Sequence, residues 1–288
     1  MGGVMTEIGL GGWRALTRPP NGRRSWIIRG VSRLELLLSS LPRLHDPIML
    51  CLLAVLGSSA LFLLFPAIDM AASEVFFRAG AGFPLSQEPL LKAFRKSADL
   101  ALALLVTGLI AGLVWGIARR GPGALVSARR SVFLIAALVI GPGLVVNGLF
   151  KSWWGRPRPV AVDVFGGEAP YQTVWRISDW CQSNCSFVSG EASSAAWLVA
   201  ATVLIPARLR PVLVPPVVLY ALLISLNRLA FGGHFLSDIV LSWAISGLVF
   251  TVLYRVMVSA PGVATRARVR AWKGVSRVLA RTAPRLPR

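Results

Sequence analysis

Six stretches of mostly apolar residues, at roughly 48–68, 100–118, 132–150, 187–207, 212–231 and 239–258, alternate along the chain with short polar or arginine-rich segments. Each is close to the ~20 residues that an α-helix needs to cross a bilayer, and none has the alternating pattern of a barrel strand. Backbone polar groups in lipid must be satisfied within their own segment. The pattern therefore predicts an all-α protein, a six-transmembrane-helix bundle with short extramembrane loops. The fourth stretch differs from the others, because its first third, Phe187 to Ser194, holds serines, a glycine and Glu191. Lipid does not tolerate such side chains without protein partners, so that end is expected to face a polar cavity.

Composition sharpens this picture. The 288 residues are 55% hydrophobic, yet 31 Lys+Arg against 12 Asp+Glu give a net charge of +19. Disorder and a small disulfide scaffold are excluded. Basic charge alone would suggest nucleic acid, but a mean hydropathy of +0.65 makes a membrane protein with charged ends the better reading, and no nucleic-acid partner is expected. With both termini cytoplasmic, the N-terminal arm, the 119–131 loop, the 208–211 turn and the chain from Arg255 onward carry 22 of the 31 cations and only 3 of the 12 acids. That asymmetry is a positive-inside signal. It divides the chain into a basic cytoplasmic arm (1–46), a membrane domain (47–258) and a basic cytoplasmic tail (259–288).

No uninterrupted apolar core precedes Pro47, so the first span is expected to be a retained anchor and not a cleaved signal. Within the basic arms, Arg24 to Leu41 and Val263 to Leu279 admit two readings: interfacial helices against anionic inner-leaflet lipid, or solvated tails that serve only orientation.

Three clusters fall on the face opposite the termini. His234, one of two histidines, precedes Asp238 by four residues, a helical spacing that sets carboxylate and imidazole on one face. Such a carboxylate can keep one ring nitrogen protonated and leave the other free to attack, or the pair can simply cap a helix. Arg228 lies six residues upstream, a forked donor suited to phosphate oxygens.

The run Lys151-Ser152-Trp153-Trp154-Gly155-Arg156-Pro157-Arg158-Pro159 puts three cations at the membrane surface. Snorkelling cations with a belt of Trp153 and Trp154 is one account. A stiffened anion clamp is the other, with Lys151 and Arg158 foremost and Arg156 second. The third cluster, Cys185 to Ser193, offers Ser189 and Gly190 as an anion cradle at a helix start. Its Glu191 is either a proton donor of raised pKa or the partner of a nearby arginine. Cys181 and Cys185 are close enough in sequence to form a disulfide or to remain free. Two cysteines without a nearby histidine give too few ligands for zinc, so no metal and no cofactor is expected.

Lys-x6-Arg-Pro, a Ser-Gly element and Arg-x5-His-x3-Asp, in that order at the outer ends of spans three, four and five, resemble the signature of the type 2 phosphatidic acid phosphatase superfamily. The resemblance covers residues from about 47 to 258. It implies a metal-independent phosphatase in which His234 attacks phosphorus and forms a phospho-histidine, with Asp238 orienting it. Lys151, Arg158, Arg228, Ser189 and Gly190 would hold the phosphoryl oxygens. Val188 and Glu191 stand where the family's second motif has Pro and His, and Asn227 stands where the third opens with Ser, so Glu191 becomes the candidate general acid.

The run Ile140 to Asn147, the segments Gly155-Arg156-Pro157-Arg158-Pro159 and Asn184 to Val188, the acidic residue after Gly190, Gly232 to Asp238 and Leu64 to Asp69 are further similar to bacterial lipid A 4'-phosphatases. This implies a lipid A substrate at the periplasmic face of an inner membrane. Undecaprenyl diphosphate, phosphatidylglycerol phosphate or phosphatidate, transfer to a lipid acceptor, or a binding protein without turnover are the alternatives. The sequence leaves the oligomeric state open.

Overall fold

A computed structural model of the chain describes residues 46–119 and 122–259. The interfacial helices considered for the two basic arms lie outside the described residues. Among these residues the only pairing of extended chain is two isolated bridges, and everything else regular is helical. Helix α1 spans Pro47–Leu64, α2 Ala67–Glu74, α3 Pro89–Arg119, α4 Pro122–Leu138, α5 Gly190–Ala200, α6 Arg210–Ala230 and α7 Leu236–Tyr254. Three of them begin at a proline, whose missing N–H falls where a helix has no acceptor for it. Five helical segments, Pro47–Leu64, Pro89–Ala118, Ala128–Trp153, Ala207–Ala230 and Leu236–Ser259, are long and apolar enough to cross a membrane. The protein is an all-helical, multi-pass membrane protein.

The expected boundaries need three corrections. Helix α3 begins at Pro89 and not near 100. Lys92, Arg95, Lys96 and Asp99 end an apolar run without ending a helix, since they are ordinary helix residues. The loop expected at 119–131 is helical from Pro122. The fourth stretch, expected as a span over 187–207, is an 11-residue helix, α5, followed by the 3₁₀ turn Ala201–Leu204, with residues 187–189 outside it. Pro206 follows that turn and ends the helical segment, which is shorter than the other apolar helices.

Beyond Leu138 the third span widens into a π-helical stretch, Val139–Phe150, and closes with the turn Lys151–Trp153. Pro142 lies inside it and cannot donate to the ladder. Asn147 Nδ2 donates to the Pro142 carbonyl at 2.7 Å, which supplies a partner for that oxygen.

Helix α5 packs against α6 and α7. Side-chain hydrogen bonds tie these apolar helices together: Ser193 and Ser246 hydroxyls are 2.7 Å apart, Ser242 Oγ donates to Ser189 O, and Trp197 Nε1 donates to Leu134 O on α4. Such bonds give adhesion where lipid tails leave little hydrophobic driving force between helices. Where the spans end, Phe150, Trp154, Trp175 and Phe187 stack edge to face within a core that includes Val146, Val188 and Leu241. Trp154 therefore belongs to this aromatic core and not to the expected belt, whereas Trp153 is 69% exposed.

Candidate active site

His234 sits in the turn between α6 and α7, fully enclosed. Its Nδ1 lies 2.8 Å from the Ser186 carbonyl. A carbonyl only accepts, so the proton is on Nδ1 and the lone pair is on Nε2. Burial pushes the imidazole below its ordinary value of 6.5; Asp238 pulls the other way, and Arg228 and Lys151 add to the lowering. The ring is therefore neutral at neutral pH, which is the state that can attack.

The expected contact of Asp238 with His234 takes a different form. Asp238 Oδ2 lies 3.9 Å from Nδ1, beyond hydrogen-bond range. Instead Oδ2 accepts from Ser186 Oγ at 2.5 Å and from the Phe235 N–H at 3.0 Å, the latter closing the first turn of α7. Asp238 thus holds Ser186, whose carbonyl holds the ring. It also remains near enough to favour positive charge on the imidazole.

Asp238 is half of a buried network that includes Arg156. Arg156 Nη1 donates to Asp238 Oδ1 at 2.5 Å and to Ser237 Oγ, Nη2 donates to Asp69 Oδ2 at 2.8 Å, and Nε donates to the Gln172 carbonyl. Asp69, near the start of α2, accepts further bonds from Ser237 N and Oγ and from the Tyr171 hydroxyl. All three charged side chains have 0% exposure. Burial alone would lower the affinity of Arg156 for its proton, but Asp238 and Asp69 outweigh it and hold the guanidinium charged. Arg156, the secondary candidate for the phosphate clamp, has its donors committed to these partners and is fully enclosed.

The remaining cations converge beside His234. Arg228 leans over Gly233, where a Cβ would stand only 2.4 Å from its Nη2, and Lys151 leans over Gly190, where a Cβ would be 3.3 Å from its Nζ. Glycine at both positions is what lets the charges approach the backbone around the histidine. Asn184 bridges the other two: its side-chain oxygen accepts from Lys151 at 3.1 Å and its carbonyl from Arg158 Nη2 at 2.8 Å. Cys181 and Cys185 form a disulfide around Asn184, with Cα atoms 5.7 Å apart. Ser189 caps α5, its hydroxyl accepting from Ala192 N, and is buried.

Glu191 takes the ion-pair alternative of the sequence reading. It grips Arg95 of α3 through three hydrogen bonds of 2.6–3.1 Å. Its Oε2 also lies 3.2 Å from Arg228 Nε, though that N–H is not directed at it and remains an unpartnered buried donor. A cleft of about 190 Å³ runs from Lys151, Gly190 and Glu191 down between α3 and α5 past Asn147, Asp99 and Leu198.

Sequence reasoning missed Ser186, Asn184, Asp69 and Arg95 as parts of this assembly. Asp69 carried a weak signal as a carboxylate at the end of an apolar run, and Arg95 as a cation on a helix thought to start later. Backbone carbonyls such as those of Ser186 and Asn184 leave no trace in residue type.

Comparison with known proteins agrees with the motifs. Residues 131–260 match the family model described as the PAP2 superfamily. The chain is 39% identical over 214 residues to the lipid A 4'-phosphatase of Rhizobium etli, an alignment spanning 67% of this chain and 80% of that protein. Against the lipid A 4'-phosphatase of Rhizobium leguminosarum it is 37% identical over 214 residues, or 67% of this chain and 89% of the relative. A lipid A 4'-phosphatase of Francisella tularensis subsp. novicida is 41% identical over 137 residues, 44% of this chain and 60% of that one. No solved structure matches the chain. With a relative of this identity aligned over four-fifths of its length, and the three motifs gathered around one buried histidine, the chain belongs to the PAP2 superfamily, the type 2 phosphatidic acid phosphatases.

Proposed function

We propose that the protein is a lipid A 4'-phosphatase, a metal-independent phosphoric monoester hydrolase that works through a phospho-histidine at His234. The observation that carries this reading is the hydrogen bond from His234 Nδ1 to Ser186 O, which leaves the Nε2 lone pair free on a ring that feels the charges of Arg228 and Lys151. The names of the three relatives support the choice of lipid A and of its 4'-phosphate.

Lys151, Arg158 and Arg228, with the start of α5 at Gly190, hold the phosphoryl oxygens and offset the charge that spreads over them in the transition state. Nε2 attacks phosphorus in line as the bond to the sugar oxygen breaks. The electron pair leaves with that oxygen, which takes its proton from solvent at the mouth. The positive charge on the phosphorylated ring is stabilised through Nδ1–H, by Ser186 O and by the nearby Asp238. Water then attacks phosphorus and gives up a proton to solvent, the P–N bond breaks, its electrons return to Nε2, and phosphate departs. Glu191, expected as the proton donor, lies between two guanidiniums that favour its ionised form, so we assign it no proton transfer.

Only neutral His234 reacts, and burial depresses its pKa. Activity is therefore lost as pH falls through a value below 6.5, and the acid limb of kcat/KM should lie below that of a free imidazole. A pH–rate profile with its acid limb at or above 6.5 would contradict the assignment.

We place the active site at the periplasmic face of a bacterial inner membrane with both termini cytoplasmic, and take anionic inner-leaflet lipid as the partner of the basic arms. The one-sided distribution of Lys and Arg supports this orientation. The proposed division is a basic arm at 1–46, a phosphatase domain at 47–258 and a basic tail at 259–288.

The deciding experiment is mass spectrometry of bis-phosphorylated lipid A after incubation with purified protein in detergent and EDTA, with fragmentation to locate the lost phosphate. Loss of the 4'-phosphate is expected. Retention of both phosphates, with release from undecaprenyl diphosphate or phosphatidylglycerol phosphate, would move the protein to another substrate.

A further inference from the structure

Glu191 poses a charge problem at the proposed phosphate site. A phosphomonoester arrives as a dianion, and a carboxylate standing beside Arg228 and Lys151 repels it and cancels one of the cations meant to receive it. Arg95 answers this problem from outside the three motifs. It projects from α3, 96 positions earlier in the chain, and meets Glu191 with Nε and Nη2 while Nη1 stays out of the pair. A guanidinium gripped along one edge presents its other edge to a second anion. Arg95 is also placed to do so: its side chain is 44% exposed, and its charge is felt by both Arg158 and Arg228.

We propose that Arg95 is a fourth cation of the phosphate site, contacting the substrate phosphoryl group, and that Glu191 is a positioning residue whose task is to hold it there. This deepens the phosphatase reading and rests on it. In the resting site Glu191 occupies the place of an oxyanion between Arg95 and Arg228. An incoming phosphate takes up Arg228 Nε, the donor left without a partner, and the free edge of Arg95, while Glu191 keeps its grip on the Nε edge of Arg95. The carboxylate that replaces the family's second-motif histidine thus supplies a cation in place of a proton.

The test is a cycle of Arg95→Ala, Glu191→Gln and the double variant, each checked for a wild-type elution profile in detergent. Two readouts are taken: kcat/KM for lipid phosphate release, and affinity for inorganic phosphate by calorimetry, which needs no turnover. Arg95→Ala uncovers Glu191 and should lower both by about tenfold or more, the scale of a lost charge-assisted bond. Removing Glu191 as well relieves the repulsion but not the lost contact, so the double variant should stay below wild type and within about threefold of Glu191→Gln alone, the departure from additivity expected of residues in contact. Glu191→Gln should slow a sugar phosphate and an aryl phosphate equally.

Three results would overturn the proposal: Arg95→Ala within twofold of wild type in phosphate affinity, losses that simply multiply in the double variant, or a Glu191→Gln defect confined to the sugar phosphate, which would restore the general-acid role. If wild type binds phosphate in the expected order of variants yet releases none from any lipid, the phosphatase reading fails and the cation site stands.

Discussion

Replacing His234 with alanine is expected to abolish phosphate release while leaving the protein folded. The imidazole forms the bond to phosphorus that opens the proposed path, and loss of a nucleophile typically costs ~10⁵-fold or more in kcat. What remains is the effect of the cations on direct attack by water, which binding and charge stabilisation alone can raise above the uncatalysed rate. Folding should survive because His234 makes one hydrogen bond, to a backbone carbonyl, while the charges behind it remain matched. Acid-labile, alkali-stable phosphate bound to the wild type and absent from His234→Ala, in a rapidly quenched reaction, is the direct measurement. Substantial residual turnover would overturn the mechanism.

The largest effect on stability is expected from Arg156→Met. This substitution removes the guanidinium between Asp69 and Asp238 and leaves two fully enclosed carboxylates without their cation. Breaking a buried ion pair by deleting one partner costs about 3–5 kcal/mol, because the charge left behind can reach neither water nor a partner. Here two charges are stranded, and the lost donors include those to Ser237 and the Gln172 carbonyl. A sharp fall in Tm of the detergent-solubilised protein should follow, with loss of activity below that temperature, since Asp238 also sets Ser186. Arg156→Lys should recover only part of it, as an ammonium cannot span two carboxylates, a hydroxyl and a carbonyl in one plane. An unchanged Tm for Arg156→Met would mean that the network is not what fixes this end of α7.

Much of the site was legible because its chemistry depends on residue types that lipid normally rejects. Lys151, Arg158, Arg228, His234 and Asp238 stand out against apolar runs, and their spacing places them at the ends of successive helices. Arg156 shows the limit of that signal: sequence registers a cation but not whether acids surround it. Glu191 could be written as an acid or an ion-pair partner until the fold brought Arg95 to it across two helices. The fourth span was expected at full length because hydropathy does not register where a helix is first capped, and Ser189 starts α5 only at Gly190.

The amino-acid pattern is enough to specify helices, their approximate limits, the asymmetry of charge across them and the three motifs of a phosphatase family. Each of these follows from local rules: length against bilayer thickness, satisfaction of backbone groups within a helix, and residue spacing along one face. Tertiary structure alone decided which charges meet. Asp69 reaches Arg156 over 87 positions, and Ser186 reaches Asp238 over 52. Buried charges must find partners wherever the packed helices bring them, so pairing is a property of the whole bundle and of no segment within it.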